Sequence, residues 1–579
     1  MSFSSRSKTS VVFSLAALTF LVGAFVTYGF LGNHSAAHAA SATTTFRGTL
    51  GKAQFNGTVS AASLSTNTGT GSATHKVMPF RGRPSASSAN AAIAHSIRPN
   101  TTSTAVVTGG LLHNFDGVNA IQNSAATKGY DLEPPDEAMA AGNGYVLNFV
   151  NLTGAIYKSN GQIAAGPFPL GVLGANGGFF NTNLTNIVSD PRAFYDAASH
   201  TWFALVWEDD FTSSGTPGPA YVDLAVNSGN PVTGTWKQYK IDVTDANAAG
   251  CPCLPDYTIL GVDQYNVYLL PNEFQNFGSG FNGSQIYAIA KSDLIGGNPA
   301  PNVVHFGGLS VAGVIAYHLQ PANEYTHASA EYFMNALDPN NTYDNRLGVW
   351  ALTNRDHIAQ GVIPNLSSTV IGSEAYAMPV NAQTPAGFNN FTNSPTTGVV
   401  TADFDAMQEV QYVDGYLYGA LDTSVNVAGD SAARDGVAWF KVAPSVSGGV
   451  ISSSTHVAQQ GYISSRGLYL LYPHIEHSFN GNSAIVFSIG GPGTYLSAAY
   501  AVQESGWKNF GGIKVAGYGA TSDNGFTGTA SFGGVGRWGD YSAGQLDPSG
   551  NGIWFATQYI PNNGDGVANW GNRVFEVAA

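Results

Sequence analysis

A short pattern returns seven times along this 579-residue chain and restricts what the chain can fold into. Each copy begins at Pro or Asp, runs through an apolar segment and a polar turn, and ends in an aromatic-rich strand. The strands fall at 145–149, 202–206, 267–270, 332–334, 416–418, 484–487 and 553–555, with starts 57, 65, 65, 84, 68 and 69 residues apart. Short strands repeated at this spacing predict a β-propeller, in which each blade is one small sheet. No long stretch follows a 3.6-residue period, so almost no helix is expected. The fold class expected is all-β: a seven-bladed propeller, with six or eight blades as neighbouring counts.

Charge divides the chain in two. No acidic residue precedes Asp116, and the first 115 residues carry eight Lys and Arg. Residues 116–579 hold all 37 acids against 15 Lys and Arg, a net of −22. Such a body disfavours nucleic acid, whose phosphates need basic clusters, and suits cations, polar sugars or solubility alone. Arg6 and Lys8 precede the apolar run 11–31, and Ala37-His-Ala39 offers a small-residue cleavage site. Residues 1–39 therefore read as an export signal or, since the apolar run is 21 residues long, a membrane anchor that tethers the body. Either way an extracellular or cell-surface location follows. Residues 40–105 are rich in Ser, Thr, Ala, Gly and Asn and are expected to form a largely disordered basic linker. The propeller is expected over 106–579 as a monomer. A strand near Val106-Val107 or Leu111-Leu112 would close its last blade against 573–577. The widest spacing holds 377–400, an inserted loop.

If the first strand of each hairpin is innermost, the residue before it sits at the mouth of the central funnel. Those residues are Asp136, Asp190, Asp256, Pro321, Asp405, Pro473 and Asp540. A glycosidase needs one protonated and one ionised carboxyl flanking the scissile bond, and crowding supplies the protonated member. Asp190, Asp256, Asp405 and Asp540 are the candidate acids and bases. Arg192, Arg537, Tyr541, His474 and Asp136 are candidates for holding substrate, the two Arg as clamps. A lyase would use His474 or a Tyr as base beside an Arg. The same Asp residues also suit turn capping, in which a carboxylate accepts backbone N–H groups.

Asp403 and Asp405, two apart on one expected strand face, would suit Ca²⁺; no other cofactor is indicated. The two cysteines, Cys251 and Cys253, flank Pro252 and are expected to staple a loop as a disulfide. The chain lacks G-x-S-x-G, H-E-x-x-H and G-x-x-x-x-G-K-[ST] motifs. His474 and His477 would face opposite sides of a strand and make no metal pair.

Three runs carry a resemblance: Ser189-Asp-Pro-Arg192 with Trp202-Phe203, Pro255-Asp-Tyr257 with Gly261-Val-Asp263, and Arg537-Trp-Gly-Asp-Tyr-Ser-Ala543 with Asp547-Pro548. Over about 110–560 the chain resembles a group of large exported bacterial proteins with propeller-like domains. The group is distantly similar to sialidase-type propellers, whose Asp-box Thr521-Ser-Asp523-Asn-Gly525-Phe-Thr527 matches except at Gly528. The resemblance implies fold and export, without a settled reaction. The function expected is recognition of a polysaccharide or glycoconjugate, with glycoside hydrolysis at the funnel. The alternatives are a non-catalytic surface binding module, exposing loop aromatics such as Phe388 or Phe391, or a polysaccharide lyase.

Overall fold

The computed structural model describes residues 43–64, 74–77, 98–107, 110–171, 177–183, 186–209, 218–245, 247–248, 251–276, 280–550 and 552–578. The expected export segment lies outside them. The described body is nearly all β. Its strands resolve into antiparallel meanders, and each of the seven aromatic-rich runs is the second strand of one. The second meander shows the pattern: Ile187–Asp196, Thr201–Asp209, Tyr221–Asn227 and Trp236–Asp242 pair in order.

The first strands of the other six are Ala138–Gly142, Cys253–Val262, Gln320–Glu324, Val410–Val413, Tyr469–His477 and Ala543–Leu546. Each first strand contacts the next, and the seventh returns to contact the first. These strands therefore line the centre, and the arrangement is propeller-like. Apolar cores lie between neighbouring meanders. The core between the seventh and first is built from Val118, Met139, Val146, Tyr157, Trp554 and Trp570. Close approach of adjacent inner strands needs glycine at two places. A Cβ on Gly142 would lie 2.2 Å from the Tyr195 ring, and one on Gly261 would lie 2.4 Å from Pro321.

The ring closes much as the sequence implied, by a different segment. His113–Asn119, not Val106–Val107, pairs with Gly571–Ala578, with Asp116 opposite Arg573 and Phe115 opposite Val574. Val106–Val107 instead extends the sixth meander beside Ile513–Gly517. The expectation of a disordered linker also fails where that segment is described. Thr44–Phe46 adds to the outer edge of the fourth meander, Thr49–Lys52 to the third and Gln54–Val59 to the second. Asn100–Thr101 joins the fifth. Few large residues are needed for this, because backbone pairing to an open edge supplies the hydrogen bonds and the sheet supplies the apolar contact. Phe46 lies 5.1 Å from Trp350 and Phe55 lies 5.7 Å from Tyr239.

One backbone feature recurs in all seven meanders. At or just before each inner strand, one residue has left-handed φ: Asp136 (47°), Asp190 (49°), Tyr257 (53°), His318 (46°), Asp403 (36°), Tyr472 (55°) and Gly539 (53°). Six of these are not glycine, and the conformation costs free energy unless the surroundings enforce it. Side-chain oxygens on the preceding meander accept the backbone N–H at four of them. Asn151 Oδ1 accepts from Asp190 N at 2.7 Å and Asp190 Oδ2 from Tyr257 N at 2.7 Å. Asn272 Oδ1 accepts from His318 N at 3.0 Å and Asp422 Oδ1 from Tyr472 N at 3.0 Å. The bulges at 190–191, 257–258 and 472–473 follow from these latches and turn the next side chains toward the centre.

Candidate functional site

The left-handed residues and their neighbours meet at one end of the inner strands. Arg537 lies at the heart of one group. Its Nη2 donates to both oxygens of Asp540, at 2.8 and 3.0 Å, and its Nη1 stands 3.7 Å from Asp403 Oδ1. Asp403 and Asp540 are within hydrogen-bonding reach of each other. Asp136 feels the charges of Asp540, Asp190 and Arg537, and its Oδ2 accepts from Asn151 at 2.6 Å. Burial pushes Asp136 and Asp540 well above the usual carboxylate range, and neighbouring carboxylates push the same way. Burial raises Asp403 too, opposed by Arg537. One guanidinium faces three buried carboxyls, so proton uptake by the group is favoured relative to free carboxylates.

Arg192 centres a second group. Its Nη1 donates to Glu409 Oε1 at 2.8 Å. Its guanidinium carbon lies 3.2 Å from the centre of the Tyr541 ring and 4.8 Å from that of Tyr257. Glu409 Oε2 stands 3.6 Å from His474 Nδ1, and His474 Nε2 lies 3.1 Å from Glu476 Oε1. Burial acts to lower His474, and the two glutamates outweigh it and raise it. The two groups join at Tyr257, whose hydroxyl donates to Gln408 Oε1 at 2.7 Å and lies 3.3 Å from the backbone oxygen of Asp540. His318 stacks on the Tyr257 ring at 3.9 Å, so all seven meanders contribute.

The sequence candidates separate on this geometry. Asp540, Arg537, Asp136, Arg192, Tyr541 and His474 share the site. Asp190 is there too, but its Oδ2 already accepts from Trp207 Nε1 at 2.5 Å and from Tyr257 N; it is a latch, not a free acid. Asp256 is half-buried opposite Asn272, because Tyr257 takes the left-handed place in that meander. In the fifth meander Asp403 takes that place and Asp405 is displaced by two residues. Residues 401–409 form no strand, so the two aspartates do not share a strand face, and Asp403 faces Arg537, with Nη1 3.7 Å from its Oδ1. Cys251 and Cys253 form a disulfide with Cα atoms 4.4 Å apart. Glu409 and Glu476 join the site without having been among the sequence candidates. The available signal was Gln408-Glu409 directly before the inner strand Val410–Val413.

The inserted loop frames this end. Ala382–Gln383 pairs with Val399–Val400, and Phe388–Asn389 pairs with Ser394–Pro395. Asn389 Nδ2 donates to Asn524 O at 2.6 Å and Val567 O at 2.8 Å, while Gly536 N donates to Val399 O at 2.8 Å. The loop thereby braces the segment that carries Arg537. Phe388 and Phe391 on it are about half exposed. The Asp-box-like run lies against this loop, where Asp523 Oδ1 accepts from Gly525 N at 3.1 Å.

No family model matches the chain, and no curated protein matches it. Among solved structures it is similar to a protein of unknown function from Dyadobacter fermentans, at 10% identity and TM-score 0.34, covering 69% of this chain and 97% of that one. It is similar to a Trypanosoma rangeli sialidase solved with the inhibitor DANA, at 9% identity and TM-score 0.32, covering 76% of this chain and 57% of the sialidase. An ulvan lyase matches at 11% identity and TM-score 0.31, over 83% and 96%. Likeness at this level assigns no residue and no reaction.

Proposed function

We propose that the chain is an exported seven-bladed β-propeller that binds a glycan at the inner-strand site and hydrolyses a glycosidic bond there. Asp540 acts as proton donor and Glu409 as its partner carboxylate. One observation carries the reading: the carboxyls that reach solvent in the two groups are Asp540 and Glu409, their side chains 19% and 16% exposed, on either side of Tyr257. Asp403 is 10% exposed, and Glu476 and Asp136 at most 2%. Each of the two exposed acids is bound to its own buried arginine. Burial and Asp403 push the Asp540 carboxyl upward, the direction a general acid requires, and Glu409 pairs with Arg192. His474 is 2% exposed and clasped between two glutamates, which argues against its serving as a lyase base. Export rests on the basic-then-apolar run of residues 1–39.

The test is hydrolysis of a panel of neutral and acidic oligosaccharides by the full chain, Asp540→Asn and Glu409→Gln. Each substitution should lower kcat/KM by about 10²–10⁴ with the folded circular dichroism spectrum retained. Activity within a few-fold of the parent in either variant would overturn the assignment. If the parent binds sugars and cleaves none, the half-exposed Phe388 and Phe391 favour a binding module instead.

A further inference from the structure

A cleft of about 760 Å³ lies between the fifth and sixth meanders, at the far end of the inner strand Tyr469–His477 from Tyr472. It shares that strand with the carboxylate site, but Ile475 and His477 line the cleft while His474 and Glu476 alternate to the other face. The volume is that of a pocket for one or two sugar rings rather than a crevice between side chains.

Three features define what it would hold. The first is an aromatic platform. Trp507 is 51% exposed at the rim, on the turn that follows Thr494–Gln503. That turn is fixed, because Trp507 N donates to Glu504 O at 2.9 Å and Gln459 Nε2 donates to Lys508 O at 2.8 Å. Deeper in, Tyr418 stacks on His477 with ring centres 4.3 Å apart. A large flat indole presented to water on a tied loop matches the C–H face of a pyranose.

The second is a pair of polar groups in the walls that form no hydrogen bond within the described protein: the Tyr418 hydroxyl and Gln503 Nε2. Both residues are more than nine-tenths buried and both line the cleft. Buried donors of this kind are normally paired, and sugar hydroxyls are partners of the right size. The third is Lys441. Its ammonium lies 4.0 Å from the Tyr416 ring centre and 5.4 Å from that of Tyr418, and it makes no salt bridge among the described residues. Burial lowers its pKa, opposed by Asp414, while His477 is held down at about 4 and is neutral. Glu504 sits at the opposite rim with Lys508. A half-buried cation without a carboxylate partner, on a body of net charge −22, is a local site for an anion.

We propose that this cleft is a second glycan subsite, taking a carboxylate-bearing pyranose (a hexuronate) with its ring on Trp507, its carboxylate at Lys441 and its hydroxyls at Gln503 and Tyr418. The subsite is independent of the reaction assigned to the carboxylate site. The probes are hexameric galacturonate and glucuronate, with neutral maltohexaose as control. Binding to the full chain is followed by tryptophan emission and calorimetry, using Asp540→Asn so that no probe is consumed. A hexuronate should bind at least tenfold more tightly than the neutral probe. Trp507→Ala and Lys441→Gln should each weaken it at least tenfold with melting temperature unchanged, and the same substitutions made in the parent should leave turnover at the other site unchanged. Absence of binding by both hexuronates at millimolar concentration would overturn the proposal. So would equal affinity for maltohexaose, or affinity unchanged by Trp507→Ala. Trp507 is half exposed, so its removal leaves the core intact. Loss of hydrolysis in Asp540→Asn with hexuronate binding retained separates the two sites.

Discussion

Replacing Asp190 by alanine tests whether the repeated aspartates serve architecture or chemistry. Asp190 Oδ2 accepts from two buried donors, Trp207 Nε1 at 2.5 Å and the backbone N–H of Tyr257 at 2.7 Å. Trp207 is 1% and Tyr257 5% exposed, so water cannot replace the lost acceptor without repacking. An orphaned buried donor costs about 1–3 kcal/mol, which puts the pair at about 4 kcal/mol. Tyr257 adds to this, because its left-handed φ of 53° is held by the bond that is lost. For a body larger than 250 residues each kcal/mol moves the melting temperature by less than about 2–4 °C, so a fall of roughly 5 °C is expected. Asp190→Asn keeps an acceptor oxygen and should lose about half as much. The assay is thermal unfolding at fixed scan rate, followed by circular dichroism and tryptophan emission, with Asp540→Asn as the comparison. Asp540 accepts mainly from Arg537, so its variant should keep the folded circular dichroism spectrum while losing turnover. A melting temperature for Asp190→Ala within 1 °C of the parent would refute the latch.

The N-terminal strands give a second prediction. Removing residues 1–60 uncovers the outer edges of the second, third and fourth meanders and takes Phe46 off Trp350. Light scattering should rise and the melting temperature should fall; a monodisperse truncation with parental stability would show the strands to be ornamental. The third concerns pH. Burial, reinforced by Asp565 and Asp523 respectively, pushes Asp131 and Glu133 up to about 8, against about 4 in an unfolded chain. Between those values the folded state holds protons that the unfolded state releases. Their contribution is complete in acid and is lost as pH rises through about 8. The melting temperature should therefore fall from pH 6 to 9, and Glu133→Gln, which keeps an acceptor for Thr527, should flatten that slope. A flat or rising profile in the parent would contradict it.

Much of the architecture is legible in the chain because it is local and repeated. Every aromatic-rich run, from Tyr145 to Ile553, is the second strand of a meander, since fully buried strands need continuous apolar sequence whatever their neighbours. The aspartates flagged at the funnel lie within a residue or two of the left-handed positions, because a bulge has a fixed length. What each one does was not legible. Asp190, Asp403 and Asp540 look alike in sequence. Distant partners alone separate them: Trp207 and Tyr257 occupy the first, and Arg537 joins the other two. Glu409 gains its place only because Arg192, 217 residues away, stacks on Tyr541 and reaches it. The N-terminal segment misled for the same reason. Its composition forbids a core of its own, yet an open sheet edge asks only for backbone donors and acceptors, which every composition supplies. Periodicity and burial are properties of a segment and are written there; hydrogen-bond partners, ion pairs and shared protons belong to atoms brought together from opposite ends of the chain, and tertiary structure alone decides them.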